Sequence, residues 1–266
     1  MVLASTSSGL IAAGLLRWTP PGFVKPNYAG RPIPAVLGIA LVPALGVGVG
    51  VASWLFWPGP SSALPVIAAL FALGAVGVAG MVDDLSSRGP RGLRGHLASL
   101  LSGRPTSGIL KLVVGVAAGV LLAVLLGGGV VRVVASAVLV AASVNVWNAL
   151  DVVPGRAIKW SLLPLAVALV LGWSGPTGLL AGATLGAAVG VLPFDLLERA
   201  MLGDAGSNPL GLAVGFGLAA TLPTGAVLAA AVVVLALQAA AETVTISRLV
   251  EATPPLRWLD GVGRRS

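Results

Sequence analysis

The chain has 266 residues, of which 57% are hydrophobic and 9% charged, and its mean hydropathy is +1.01. A water-soluble domain carries about a quarter of its residues as ionisable groups, so this composition excludes an ordinary soluble globule and requires most of the surface to face lipid. The absence of cysteine excludes disulfides, thiolate metal centres and cysteine nucleophiles, and a single histidine, His96, excludes a multi-histidine site. The formal charge of +7 reads as membrane orientation, with no nucleic-acid partner.

The first 16 residues, MVLASTSSGLIAAGLL, lack the basic region of a cleaved signal and are expected to stay in the mature protein as a short span. Beyond the cluster at 17–31, residues 32–82, 160–194 and 205–241 carry no ionisable side chain, and 112–150 carries only Arg132. Each stretch exceeds the roughly 20 residues one helical crossing needs. Each is broken near its middle, by WPGPSS at 57–62, LGGG at 126–129, WSGPTG at 173–178 and TLPTG at 221–225, and such Pro and Gly clusters mark turns. Four helical hairpins result. The prediction is an all-α, polytopic transmembrane bundle of about nine spans, eight plus the short N-terminal one, forming a single domain over 1–266.

Four hairpins put the clusters at 17–31, 83–111, 151–159, 195–204 and 242–266 on one side of the membrane. They hold 24 of the 25 charged residues, Arg132 being the exception. With Arg88, Arg91, Arg94, Arg104 and Lys111 in one loop, the positive-inside rule makes that side cytoplasmic. The C-terminus is then cytoplasmic, with 242–266 as an amphipathic tail whose Leu256, Trp258 and Leu259 lie along the inner surface. Trp54, Trp57, Trp160 and Trp173 fit an interfacial aromatic belt.

The third span ends in AGMVDDLSS. A helix C-terminus carries partial negative charge, so Asp83 and Asp84 there require a cation, either a divalent metal or nearby Arg and Lys. The fifth span ends in SVNVWNALDVVPGRAIK, where Asn145, Asn148 and Asp151 recur every third residue along one helix side. Helix–helix hydrogen bonding is the plain use of such amides, but Asp151 again meets a helix C-terminus. Gly155, Arg156 and Lys159 could bind phosphate or mark the inner interface, and the same choice applies to Lys25 and Arg31 around the PIP element. In LGDAGSNPLG, Asp204 or Ser207 could cap the following helix; equally, Gly203, Ala205 and Gly206 would let backbone approach a phosphate. His96 reads as a solvated loop residue and Trp147 as core. Taken together, oxygen donors from three loops set among cations suit magnesium shared with substrate phosphates, and hence phosphoryl transfer at the membrane surface.

The order of these motifs resembles the polyprenyl-phosphate N-acetylhexosamine-1-phosphate transferases, the MraY/WecA group. The matching segments are KPNYAGRPIPAVLG at 25–38, VDD at 82–84, NVWNALD at 145–151 and GDAGS at 203–207. They cover residues 20 to 220 in the family's order relative to the spans. The resemblance implies transfer of a sugar-1-phosphate from a UDP-sugar to undecaprenyl phosphate, with release of UMP, in bacterial envelope synthesis. The cofactor would be magnesium, with manganese as the alternative. The site would face the cytoplasm from the inner membrane, and the chain would form a homodimer. Asp83 would position or deprotonate the lipid phosphate, with Asp84 as its supporting carboxylate. Asp204 would be the main metal ligand, joined by Asp84 and Asp151. Asn145, Asn148 and Asp151 would shape the nucleotide and metal site, and Lys111 would hold a phosphate, with Lys25, Gly155, Arg156, Gly203 and Ser207 around the substrates.

Three features depart from the family pattern. Pro154 stands where a second Asp precedes Gly155, Met201 stands where an aromatic is expected, and the late histidine-rich loop is absent. A non-catalytic relative that binds polyprenyl phosphate or regulates envelope synthesis fits the same motifs. An ion-coupled transporter fits less well, because transporters place such groups near the bilayer midplane.

Overall fold

The computed structural model describes residues 1–56, 63–86, 92–104, 106–173, 175–243 and 246–264, without the side chains of 56, 63, 92–94, 96 and 97. The turn expected at 57–62 with Trp57, the side chains of Arg88, Arg91, Arg94 and His96, and Ser174 lie outside the described residues.

Almost all the described chain is helical. Its helices are α1 (Val2–Arg17), α2 (Leu37–Phe56), α3 (Ala63–Leu85), α4 (Gly92–Leu101), α5 (Ser107–Leu126) and α6 (Val130–Leu150). They continue with α7 (Arg156–Leu171), α8 (Pro176–Leu196), α9 (Asp204–Thr221), α10 (Thr224–Thr243), α11 (Ile246–Ala252) and α12 (Pro254–Gly261). Six of these, α2, α3, α5, α6, α8 and α10, are long and apolar enough to cross a membrane, and α1 is a shorter apolar helix. With α7 and α9 they form an all-α polytopic membrane bundle of nine packed helices. The expected breaks fall between helices: Gly127 and Gly128 take positive φ between α5 and α6, Pro176 opens α8, and Leu222 caps α9.

The helix at the centre has a polar first turn. α9 begins DAGSNP yet is buried along nearly its whole length, packed against α2, α3, α5, α6, α7 and α8. Small residues make that position available. A Cβ on Gly80 of α3 would stand 2.2 Å from the Asp204 carbonyl oxygen and 2.8 Å from Asn208 Nδ2, so α3 and α9 touch almost backbone to backbone. Gly80→Ala must therefore push the α9 N-terminus away from α3. The expected cost is about 1–3 kcal/mol of stability, read as a lower thermal midpoint in detergent; an unchanged midpoint would contradict this packing.

The alternating direction of the helices carries the charged clusters of the described residues to one end of the bundle. Arg132, the exception, lies at the other end, where it has a structural task. Its guanidinium donates to the carbonyls of Ala219 (2.9 Å) and Leu222 (3.0 Å), filling acceptors that a helix C-terminus leaves open. Trp54 and Trp173 are highly exposed, as an interfacial belt requires. Trp160 is half-buried.

Three local elements at the polar end add to the sequence reading. Residues 92–101, expected as loop, form α4. The KPNYAGRPIP segment is a two-stranded antiparallel hairpin, β1 (Val24–Pro26) with β2 (Pro32–Pro34), in the register Lys25↔Ile33. Asn27 Oδ1 fixes its turn by accepting from the amides of Ala29 and Arg31. Finally, α10 runs on through Glu242 to Thr243, so the tail proper is the helix pair α11–α12.

Candidate functional site

Four helix ends meet around the ammonium of Lys111, in the first turns of α5. Lys111 Nζ donates to Asp204 Oδ2 at 2.6 Å, Asp83 Oδ2 at 3.2 Å and Asn148 Oδ1 at 3.3 Å. Its three donors are thus all used. Asn148 Nδ2 in turn donates to Asp204 Oδ1 at 2.6 Å and Ser207 Oγ at 3.3 Å. Ser107 Oγ donates to Asp83 Oδ1. The side chains of Lys111, Asp83 and Asp204 keep 13%, 22% and 24% exposure, so the knot is desolvated but open to a ligand.

Asp84 belongs to a second arrangement beside it. Its Oδ1 pairs with Lys25 Nζ at 2.7 Å, and its Oδ2 accepts from the Ala205 amide at 3.0 Å. An acid at the C-terminus of α3 is thereby placed at the N-terminus of α9, where a helix favours negative charge. The lysines Lys25 and Lys111 supply the cations that the two adjacent aspartates require. Gly203, at φ +68, precedes α9, and a Cβ there would stand 2.9 Å from Asp84 Oδ2. It is the close approach of backbone to carboxylate that needs a glycine.

Asp151 caps α6. Burial pushes its carboxyl well above the usual carboxylate range, and repulsion from Asp195, Asp204 and Asp84 adds to the rise; the Gly203 amide works in the opposite direction. Asp195, in the last turn of α8, is buried and accepts from the Gly155 amide at 2.8 Å. Asp151 and Asp195 line a small cleft with Asn27, Tyr28, Pro154 and Met201. Glu198 holds the hairpin over this region by accepting from Asn27 Nδ2 at 2.5 Å and from Arg31.

Asp195 and Glu198 are not singled out in the sequence analysis. Asp195 had a readable signal, because a carboxylate in the last turn of an apolar helix breaks the same dipole rule that marks Asp83 and Asp84. Glu198 had none; its partners lie 171 and 167 residues away.

Not every expected residue joins the knot. Asn145 is half-buried, and no hydrogen bond of its side chain occurs among the described residues. Gly155 is at φ +73 with Leu196 against it, and it serves through its amide. Arg156, only 2% exposed, is committed to Asp260 and Ser247 of the tail. Lys159 donates to the carbonyls of Leu259, Asp260 and Val262.

Among the described residues, no three carboxylate or histidine side chains gather closely enough to hold a metal ion by themselves. The donor chemistry still suits a hard cation. Carboxylate and amide oxygens of Asp83, Asp204 and Asn148 converge on one positive charge, and magnesium commonly takes one or two carboxylates and completes its sphere with phosphate and water. Asp84 and Asp151, the other expected ligands, are not hydrogen-bonded to that charge.

No protein-family model matches this chain. No curated protein matches it either.

Proposed function

We propose that the chain is a membrane phosphoglycosyl transferase. It moves a sugar-1-phosphate from a UDP-sugar to undecaprenyl phosphate and releases UMP on the cytoplasmic side of a bacterial inner membrane. The observation that carries this reading is the convergence of Asp83, Asn148 and Asp204 on Lys111 at the polar end of a lipid-embedded bundle. Three features support it: the site lies at the polar end of the bundle, within reach of a lipid headgroup and a soluble nucleotide, its donors are oxygens, and its cation already pairs with anionic oxygens as it would with phosphate.

In this mechanism Asp83 orients the lipid phosphate and accepts its proton if it arrives protonated. A lipid phosphate oxygen attacks the sugar-linked phosphorus in line, the bond to the bridging oxygen breaks, and UMP leaves with that oxygen. Lys111 turns from the carboxylates to the phosphates and offsets their charge. Asn148 holds Asp204 in place, and Lys25 keeps Asp84 on the α9 N-terminus. Asp204, with oxygens of Asp83 and Asn148 beside it, would hold the magnesium ion, which when bound neutralises the diphosphate. Catalysis of this kind is positioning plus charge stabilisation.

The test is direct. Purified protein, undecaprenyl phosphate, magnesium and a panel of UDP-sugars should give UMP release that requires the lipid phosphate. If no donor is turned over while the lipid phosphate still binds, the chain is a binding protein and the transferase reading fails.

A further inference from the structure

The tail is attached more firmly than a surface-lying amphipathic segment needs. Asp260 of α12, with its side chain 8% exposed, accepts from Arg156 Nε and Nη2 at 2.9 Å each, a bidentate pair. Arg156 Nη1 donates to Ser247 Oγ of α11 at 2.8 Å. Lys159 Nζ takes the last carbonyls of α12, at 2.9 Å from Leu259, 2.5 Å from Asp260 and 3.2 Å from Val262, neutralising the negative end of that helix. A buried pair this desolvated persists only when its hydrogen-bonding groups are filled, and here they are. Burial alone would raise the Asp260 carboxyl, yet Arg156 and Arg264 together hold it below its ordinary value.

The clamp reaches the site through Arg264. Its Nη2 donates to Asp260 Oδ2 at 2.5 Å and its Nε to the Pro154 carbonyl at 3.2 Å. Gly263 meanwhile packs close to Leu196, next to Asp195. The segment from Asp151 to Gly155 is thus held at Pro154 by the tail and at Gly155 by Asp195. Among the described residues no hydrogen bond or ion pair joins the tail to Asp83, the group assigned to the lipid phosphate, or to Lys111 beside it.

We infer that the C-terminal helix pair is a positioning clamp for the Asp151 loop, set by Asp260 and transmitted by Arg264, so that nucleotide-sugar engagement depends on the tail while lipid engagement does not. The loop contact stands by itself; its effect on substrate rests on the transferase reading.

The experiment uses the full chain carrying Asp260→Asn, Asp260→Glu or Arg264→Met. Hydrogen exchange over 151–156 should quicken about tenfold in Asp260→Asn and Arg264→Met, with exchange over 205–215 unchanged. The KM for UDP-sugar should rise about tenfold, with the KM for undecaprenyl phosphate within twofold of wild type and Asp260→Glu in between. A general loss of structure would move both KM values or both exchange regions together, and that result overturns the clamp, as does wild-type exchange at 151–156. If the wild-type protein turns over no donor, the transferase reading falls, while the exchange data still decide whether the tail orders the loop.

Discussion

Asp204→Asn is expected to lower UMP release by about 10²- to 10³-fold, the usual loss when one preorganised charge-stabilising group is removed. The substitution keeps the side chain's size, so α9 should keep its place and the thermal midpoint should stay near wild type. What changes is the charge that Lys111 meets at 2.6 Å and the acceptor that Asn148 meets at 2.6 Å. Because Asp204, Lys111 and Asn148 form one hydrogen-bonded unit, combining Asp204→Asn with Lys111→Met should cost little more than either alone. Additive losses in steady-state UMP assays would show that the two groups act separately, and retained activity in Asp204→Asn would remove the site.

Asp151→Asn should separate stability from activity. Burial, with the nearby carboxylates of Asp195, Asp204 and Asp84, raises the Asp151 carboxyl well above its ordinary value. A carboxyl with a raised folded-state pKa favours folding fully below its unfolded value, and that contribution is lost as pH rises through the folded value. At neutral pH the ionised form is the costly one, and a neutral amide of the same shape removes the cost. The variant should therefore melt at a higher temperature than wild type at pH 7, with the difference shrinking toward pH 4. Its transfer activity should fall about 10- to 100-fold, as for groups that support a metal or substrate site. Equal melting across this pH range would mean that Asp151 is not under this pressure.

The bundle was readable because its signals are local. Long uncharged stretches broken by LGGG and by Pro-Gly turns place helix ends within a few residues, and lipid leaves few other ways to satisfy backbone polar groups. The central knot was readable for a related reason: Asp83 and Asp204 sit at the ends of apolar stretches, where an acid needs an explanation. Their exact partners were not. Asp84 serves the N-terminus of α9, 121 residues away from its own position, and a spacing rule has no access to that pairing. Arg156 shows the same limit, since a basic residue after a membrane helix reads alike whether it meets phosphate or, as here, Asp260, 104 residues on. The hairpin at 24–34 is held by side chains from α3 and from the segment after α8, so its three-residue strands carried too little pattern of their own.

The central helix α9 has consequences for motion. Its Ala205 amide is tied to Asp84, its last carbonyls to Arg132, and neighbours surround it between. A strut fastened at both membrane faces has little freedom to tilt or slide. Asp204 and Ser207 therefore stand on a firmly packed helix, while the hairpin and α4 rest on fewer contacts at the rim. In the proposed transferase, admission of a nucleotide and departure of a bulky lipid product would then fall to rim movements, with α9 as the fixed post against which they open and shut.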